Sequence, residues 1–327
     1  MPQVAENPSN PCNALVKSMS YAATLVRPVR RAAALTCSLW LAGCASVHHY
    51  AAGQLSDALA GSRSSFASDD DPELIRAAAP FGLKFMESAL LETPEHVDLL
   101  TATAAGFTQF SYGFVQQDAD EVEGHDVAAA FALRRRARGL YLRARDYGLR
   151  AIEAHHAGFT AALRSSPATA VAQLGPADEA AMYWTALAWA ASISLAKDSP
   201  EALAELPRVD ALVRRLEALA PDFDRGGFAS FLISYSMGRP GAVNAAQDAR
   251  AHFDRAVSLS GGQKASPYVA LAETVCVAAQ DRREFAAMLQ QALAIDPAAQ
   301  PQWRLENLIM QHRARWLLGH ADALFLE

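Results

Sequence analysis

Histidine and carboxylate side chains are the groups in this sequence that could bind a metal ion. Glu153 and His156 form a Glu-x-x-His pair, which a helix places on one face. A carboxylate-bridged di-iron site needs two such elements, and the sequence has no second one. The neighbours His155 and His156 point about 100° apart on a helix, and the zinc motif His-Glu-x-x-His is absent. We therefore predict no metal site and expect Glu153 to lie on a solvated helix face.

Motifs for nucleophilic catalysis and for nucleotide binding are also absent. The sequence contains no Gly-x-Ser-x-Gly elbow, no phosphate-binding Gly-x-x-x-x-Gly-Lys-Ser/Thr loop and no dinucleotide-binding Gly-x-Gly-x-x-Gly. We predict no catalytic residues, no cofactor and no enzymatic activity. An enzyme would need a pocket of titratable groups with strongly shifted pKa values, and no sequence motif indicates such a pocket. The net charge of -6 over 327 residues also argues against nucleic-acid binding, which needs a broad basic surface.

Cys44 is the residue with the clearest predicted chemistry. Arginines precede an uncharged apolar run of about ten residues, which is typical of an export signal and too short to span a bilayer. The run ends in Leu41, Ala42, Gly43 and Cys44, which resembles the lipobox that a signal peptidase recognises before the cysteine is acylated. We predict that Cys44 becomes a lipidated N-terminus, because two or more acyl chains, such as diacylglycerol with palmitate, give durable anchoring.

This leader divides the chain into three predicted regions. Residues 1–43 form an N-terminal extension and signal peptide, with translation expected to start at Met19; residues 44–71 form the lipidated tether; residues 72–327 form the folded domain. The absence of aspartate after Cys44 is similar to outer-membrane sorting, so we expect anchoring on the periplasmic face of the envelope, at the outer membrane. Cys276 then has no disulfide partner and is expected to be a small buried hydrophobe.

The folded region is predicted to be all-α. Alanine is abundant, and apolar residues recur at helical spacing between Pro- and Gly-containing turns. Asp71 and Pro72 suit the cap and first turn of the first helix. Helices are predicted near 72–92, 95–117, 121–157, 177–196, 200–219, 223–237, 241–260, 267–279, 281–295 and 299–319.

A weak internal repeat indicates how these helices are arranged. Helix ends at Leu216, Ala256 and Ala292 lie 40 and 36 residues apart, close to the 34 of tetratricopeptide repeats. Short loops favour antiparallel neighbours. We predict antiparallel helix hairpins stacked as a degenerate tetratricopeptide-like solenoid, with an irregular helical bundle as the alternative.

Basic and aromatic residues give the candidate binding positions. Arg135 and Arg138 belong to the main basic concentration, which forms either a solvated helix face or a surface for a partner or an anion. Aromatic side chains at helical spacing are usually core, but Tyr and Trp also line ligand grooves. The candidate ligand or partner residues are therefore Tyr112, Phe114, Trp184, Trp189, Tyr235, Arg135 and Arg138.

Several segments together resemble the TatT family, the T component of TRAP-associated tetratricopeptide-repeat lipoproteins. The resemblance covers the mature chain, and the segments occur in the family's order. Asp322-Ala323 departs from the acidic pair usual before Leu324-Phe325. The matching segments are 138–150, Tyr183-Trp184 with Trp189-Ala190, 251–256, Asp281-Arg282-Arg283 with Phe285, and 313–318 with Leu324-Phe325.

This resemblance implies a function that the residues alone do not. It implies a periplasmic lipoprotein that associates with a TRAP-type solute-binding protein and handles small organic acids, some of them hydrophobic. A homo-trimer and membrane attachment through the lipid are part of the same picture, and no catalytic residue comes with it. The alternative is a generic repeat lipoprotein that serves as a scaffold for envelope assembly.

Overall fold

The structure is a computed structural model that describes Gln54, Gly61 and residues 63–326. Within this part of the chain the regular structure is helical and no strand occurs, which confirms the all-α fold class. The signal peptide, the lipobox residues Leu41, Ala42 and Gly43, the acylation site Cys44 and most of the tether lie outside the described residues. None of the described helices combines the length and apolar character that crossing a membrane requires.

Sixteen α-helices are numbered here in chain order over residues 63–326. Short 3₁₀ turns at Pro176–Asp178, Phe223–Gly226 and Pro301–Trp303 each come directly before one of these helices. The helices are α1 (Arg63–Ala67), α2 (Pro72–Glu92), α3 (Val97–Phe110), α4 (Gln117–Val122), α5 (Val127–His155), α6 (Phe159–Ser165), α7 (Pro167–Ala172), α8 (Glu179–Ser194), α9 (Pro200–Leu203), α10 (Leu206–Leu219), α11 (Gly227–Gly238), α12 (Ala245–Ser260), α13 (Ser266–Leu271), α14 (Arg282–Ala294), α15 (Arg304–Gly319) and α16 (Ala321–Leu324).

Local sequence chemistry sets the starts of several helices. The Asp71 carboxylate accepts from the backbone N–H groups of Glu73 and Leu74, so the predicted cap of α2 is confirmed. Asp126 caps α5 and Asp281 caps α14 in the same way. These contacts satisfy backbone donors that a helix leaves free in its first turn.

Several helices differ from the sequence-based expectation; the predicted segment 200–219, for example, forms two helices, α9 and α10. The predicted segment 95–117 continues through a π-helical stretch, Ser111–Gln116, directly into α4 and ends at Val122. The residues between the predicted helices 121–157 and 177–196 form the short helices α6 and α7. Helices of six or seven residues contain too few turns to show a clear apolar periodicity.

Successive long helices pack as antiparallel neighbours, and alternate helices run parallel. Helices α2 and α3 illustrate the antiparallel arrangement. A side chain added at Gly106 of α3 would meet Leu83 of α2, whereas Arg76, earlier in α2, binds Asp118, later in the chain on α4. A row of alternate helices, α3, α8, α11, α13 and α15, makes contact from one member to the next. Helices α5, α12 and α14 each pack against two members of this row. The predicted stack of helix hairpins is thus confirmed as an architecture.

The end of this stack returns to its beginning. His312 of α15 lies 2.9 Å from the Glu121 carboxylate of α4, and Arg304 donates to the backbone oxygen of Ser68 at 3.2 Å. Ile309 faces Gly113 in the π-helical stretch, where an added Cβ would be 3.4 Å away. The row of alternate helices is therefore closed by contacts between α15 and the segment before α5.

Apolar side chains form three clusters that follow the stack. One centres on α5, α8 and α10, the second on α11 to α15, and the third on α2, α3 and the first half of α5. Cys276 is fully buried in the second cluster, as expected, and burial raises the pKa of its thiol to about 12.

Gly148 marks the closest approach between two helices and provides a test of this packing. A methyl group there would clash with the Thr185 hydroxyl and lie 3.3 Å from its Cα, so α5 and α8 would have to separate. We predict that Gly148→Ala lowers the free energy of unfolding by roughly 1–3 kcal/mol, measured by urea denaturation.

Gly139 on the same helix is the matched control. Nothing lies within 4 Å of a Cβ added there, so Gly139→Ala should stabilise the protein by about 0.5–1 kcal/mol through helix propensity. Equal effects of the two substitutions would contradict the close packing of α5 on α8.

Candidate functional site

Two π-helical stretches face the returning helix α15. Ser111–Gln116 joins α3 to α4, and Ala272–Cys276 follows α13. A π-helical turn widens the backbone and is frequent at functional positions, because it changes the direction in which side chains point. Here the stretches carry Tyr112 and Glu273.

A network of charged side chains connects these stretches to α15. The Arg313 guanidinium binds the Glu273 carboxylate and, at 3.0 Å, that of Asp120. Asp120 also accepts from Arg134 of α5 at 3.0 Å. Only 11% of the Arg313 side chain is exposed. We call Tyr112, Asp120, Arg134, Glu273 and Arg313 the closure cluster.

Burial and mutual attraction shift the pKa values in the closure cluster. Burial raises the pKa of Glu273, and the adjacent Arg313 opposes this shift. Burial also raises the pKa of Tyr112, with a further contribution from Glu273. Burial disfavours the charge of Arg313, yet Glu273 and the other anionic groups raise its pKa overall, so it remains a cation. Arg313 therefore keeps its positive charge inside the protein, where the carboxylates of Glu273 and Asp120 balance it.

Gln117 and Arg313 both carry buried polar atoms that have no partner in the described protein. Gln117 is 2% exposed, and neither its amide nitrogen nor its amide oxygen has a hydrogen-bond partner in the described protein. The Nη1 atom of Arg313 is likewise buried and unpaired. Buried polar groups are normally paired, so such atoms require an explanation.

The chain positions Gln117 next to α15. It lies one helical turn after Gly113, which faces Ile309, and one turn before Glu121, which binds His312. Buried amide and guanidinium N–H groups can donate to a carboxylate, and the neighbouring Ile309 supplies an apolar contact. The arrangement is chemically suited to a small organic acid.

The predicted candidate residues do not form a single site. Tyr112 belongs to the closure cluster, whereas Phe114 is buried in the third apolar cluster with Arg76 5.0 Å from its ring. Trp189 is buried in the first apolar cluster. Trp184 is half-buried against it, and its indole nitrogen is another unpaired polar atom.

Tyr235 lines a separate surface cleft. Its hydroxyl donates to Asp210, and Arg239 lies 3.3 Å from the same carboxylate. Helices α10, α11 and α12 enclose this cleft, whose volume is about 280 Å³. Because Tyr235 already binds a neighbouring carboxylate, we assign the hydroxyl a packing role.

Glu153, His155 and His156 all bind neighbouring parts of the protein, and the two histidines contact Asp178. Glu153 is partly exposed, and its carboxylate accepts from the backbone N–H groups of Gly158 and Thr160 at the start of α6. His155 and His156 lie 3.0 and 2.9 Å from the two oxygens of Asp178. Although burial disfavours its charge, backbone and histidine hydrogen bonds lower the pKa of Asp178. Among the described residues, no group of three or more potential ligands is placed to bind a metal.

Sequence reasoning missed Gln117, Glu273 and Arg313 as site residues. Arg313 occurs in a segment quoted for the family resemblance, but its partners lie 40 and 193 residues away in the chain. No local pattern reports contacts over such separations. An isolated glutamine likewise has no spacing signal.

The described helices form a closed stack with an internal cluster of charged side chains. The chain belongs to the TRAP transporter T-component family, whose model matches residues 68–325. It is 27% identical over 271 residues to an uncharacterised protein of Treponema pallidum, covering 80% of this chain and 83% of that relative. The family places this chain among the accessory components of TRAP transporters.

Gln117 gives a direct test of the unpaired amide. Replacing a buried polar group that has no partner with an apolar group of similar size removes a desolvation cost. We predict that Gln117→Leu raises the free energy of unfolding by about 1–2 kcal/mol, measured by urea denaturation in ligand-free buffer.

The neighbouring Gln116 is the matched control. Its amide oxygen accepts from the Tyr141 hydroxyl at 2.7 Å, so Gln116→Leu should destabilise the protein by about 1–2 kcal/mol. Destabilisation by Gln117→Leu of the same size would show that its amide is paired and would remove it from the candidate site.

Proposed function

We propose that this protein is a lipid-anchored periplasmic accessory of a TRAP-type transporter. In this proposal it binds the transporter's solute-binding protein and accepts a small organic acid at the closure cluster. The observations that carry the ligand proposal are the buried Arg313 guanidinium with its unpaired Nη1 atom and the unpaired amide of the buried Gln117. These donors are suited to a carboxylate, the group that organic acids share.

Family membership supports the transport setting. The lipid anchor at Cys44, the outer-membrane location, the homo-trimer and tetratricopeptide-type repeats belong to the same proposal. The leader pattern supports the anchor, since small residues precede Cys44 after an apolar run. The parallel alternate helices support the repeat class, because tetratricopeptide arrays stack hairpins in the same way.

Ligand binding is testable with a series of straight-chain carboxylates from acetate to octanoate. We expect isothermal titration to show binding by the native protein, with affinity rising as the chain lengthens because more apolar surface is buried. Gln117→Leu and Arg313→Lys should each weaken binding about tenfold, since one charge-assisted hydrogen bond contributes roughly 1.5–3 kcal/mol.

The matched control for this titration is Arg315→Lys, at an exposed position on the same helix. It should leave the affinity unchanged. Equal affinities of the native protein and Gln117→Leu would place the acid elsewhere.

The partner is tested by affinity purification of the tagged protein from a membrane extract. We expect a TRAP solute-binding protein to co-purify, and we expect Cys44→Ala to move the tagged protein from the membrane to the soluble fraction. Metabolic labelling with palmitate should mark the native chain and spare Cys44→Ala.

Recovery of envelope-assembly proteins without a solute-binding protein would contradict the transport proposal. That result would favour the generic repeat lipoprotein that acts as a scaffold. Absence of palmitate label on the native chain would contradict the lipid anchor. The partner would then have to be tested by measuring binding between the purified proteins.

A further inference from the structure

The arginines of α5 divide into two groups that the sequence does not distinguish. Four of the seven have partners in the described protein. The remaining three, Arg135, Arg136 and Arg138, form no ion pair or hydrogen bond with any described residue. The four with partners are Arg134 with Asp120 and Glu123, Arg143 with Glu87, Arg145 with Asp146 and Glu205, and Arg150 with the backbone oxygen of Pro94.

Exposed apolar side chains precede the unpaired arginines on the same side of α5. Val127 is 55% exposed and Phe131 is 59% exposed. Arg135 lies one further turn along, because residues at i, i+4 and i+8 share a helix face. We call the exposed residues Val127, Ala128, Phe131, Ala132, Arg135 and Arg136 the docking face.

The opposite side of α5 packs into the apolar core. Ala130 and Ala137 are fully buried, and the Tyr141 side chain is 1% exposed. The exposure of Phe131 is therefore a property of one face and does not reflect loose packing of the helix. Large exposed apolar groups next to charged residues are typical of protein interaction sites.

The charge of the docking face has no counterpart within the described protein. Of the carboxylates that precede the docking face in sequence, Asp120 and Glu123 bind Arg134, and Glu121 binds His312. Asp126 caps the helix by accepting from Ala129. A complementary partner must therefore supply the acidic groups itself, and the small side chains of Ala128 and Ala132 allow a second helix to come close.

The order of residue types along α5 distinguishes a protein partner from a lipid surface. A helix lying on a membrane has its apolar and basic residues on different sides, with the apolar side buried. Here the apolar turns and the basic turn follow one another on a single side, over roughly 14 Å of helix. This arrangement fits a partner helix with an apolar end and an acidic end.

We propose that the docking face binds an amphipathic partner helix whose apolar residues cover Val127 and Phe131 and whose carboxylates pair with Arg135 and Arg136. Taking the solute-binding protein as the owner of that helix rests on the proposed function. The cations raise the association rate with an acidic surface, and the apolar turn slows dissociation.

The test uses the mature protein and the purified TRAP solute-binding protein of the same organism. Affinity is measured by biolayer interferometry at low and moderate salt. The double variant Arg135→Glu/Arg136→Glu should weaken binding at least tenfold and reduce its salt dependence. Phe131→Ser should weaken binding to a similar extent by faster dissociation.

Two exposed positions elsewhere provide matched controls. Arg283 is an exposed arginine of α14 that forms no ion pair with a described residue, and Phe81 is a 76% exposed phenylalanine of α2. Arg283→Glu and Phe81→Ser should leave the affinity within twofold. Arg135→Lys/Arg136→Lys keeps the charge and should retain most of the binding. Thermal unfolding of every variant should match that of the native protein, because all these side chains are exposed.

The outcomes separate the docking face from the proposed function. If the native protein binds and the double variant binds equally well, the docking face is wrong while the proposed function stands. If the native protein does not bind at all, the partner assignment fails together with the proposed function. The double variant could instead lose binding to phosphatidylglycerol vesicles that the native protein binds, while its affinity for the solute-binding protein stays unchanged. That result would overturn the proposal in favour of a membrane contact.

Discussion

Burial of the Arg313 guanidinium between two carboxylates is the interaction on which the closed arrangement of helices depends. An unpaired charge inside a protein is strongly unfavourable, so Arg313 requires anionic partners wherever α15 packs. The partners Glu273 and Asp120 lie 40 and 193 residues away in the chain. The ion pairs of Arg313 with both carboxylates hold α15 against the segment after α13 on one side and against α4 on the other. Closure of the stack follows from this pairing together with the apolar contact at Ile309.

The sequence predicted most of the helices because their signals are local. The cap at Asp71, the proline at the first position of α2 and the turn chemistry between later helices all act within a few residues. Hairpin pairing also follows from short connections. Closure was not predictable, because it depends on pairings across nearly two hundred residues. The π-helical stretch at Ser111–Gln116 has no signal either, since its residues also suit an α-helix.

The arginine run on α5 shows why residue type alone did not define the site. Adjacent residues on a helix point about 100° apart, so neighbouring arginines have different surroundings. Arg134 reaches Asp120 and Glu123, whereas Arg135 and Arg136 face outward. The sequence supported either a solvated face or a binding surface for the whole run. The fold gives part of the run an internal structural role and leaves the other part free.

Helix α5 connects the interior of the protein to its surface. Arg134 holds Asp120 of the closure cluster at 3.0 Å, and the next two residues belong to the docking face. A partner that displaces α5 by even part of a helical turn would lengthen this contact and leave Asp120 to Arg313 alone. The balance of charge around the Arg313 donors would then change, and with it the affinity for the anion that we propose to bind there. Such coupling is reciprocal, so an acid bound inside would alter the affinity for a partner outside by the same factor.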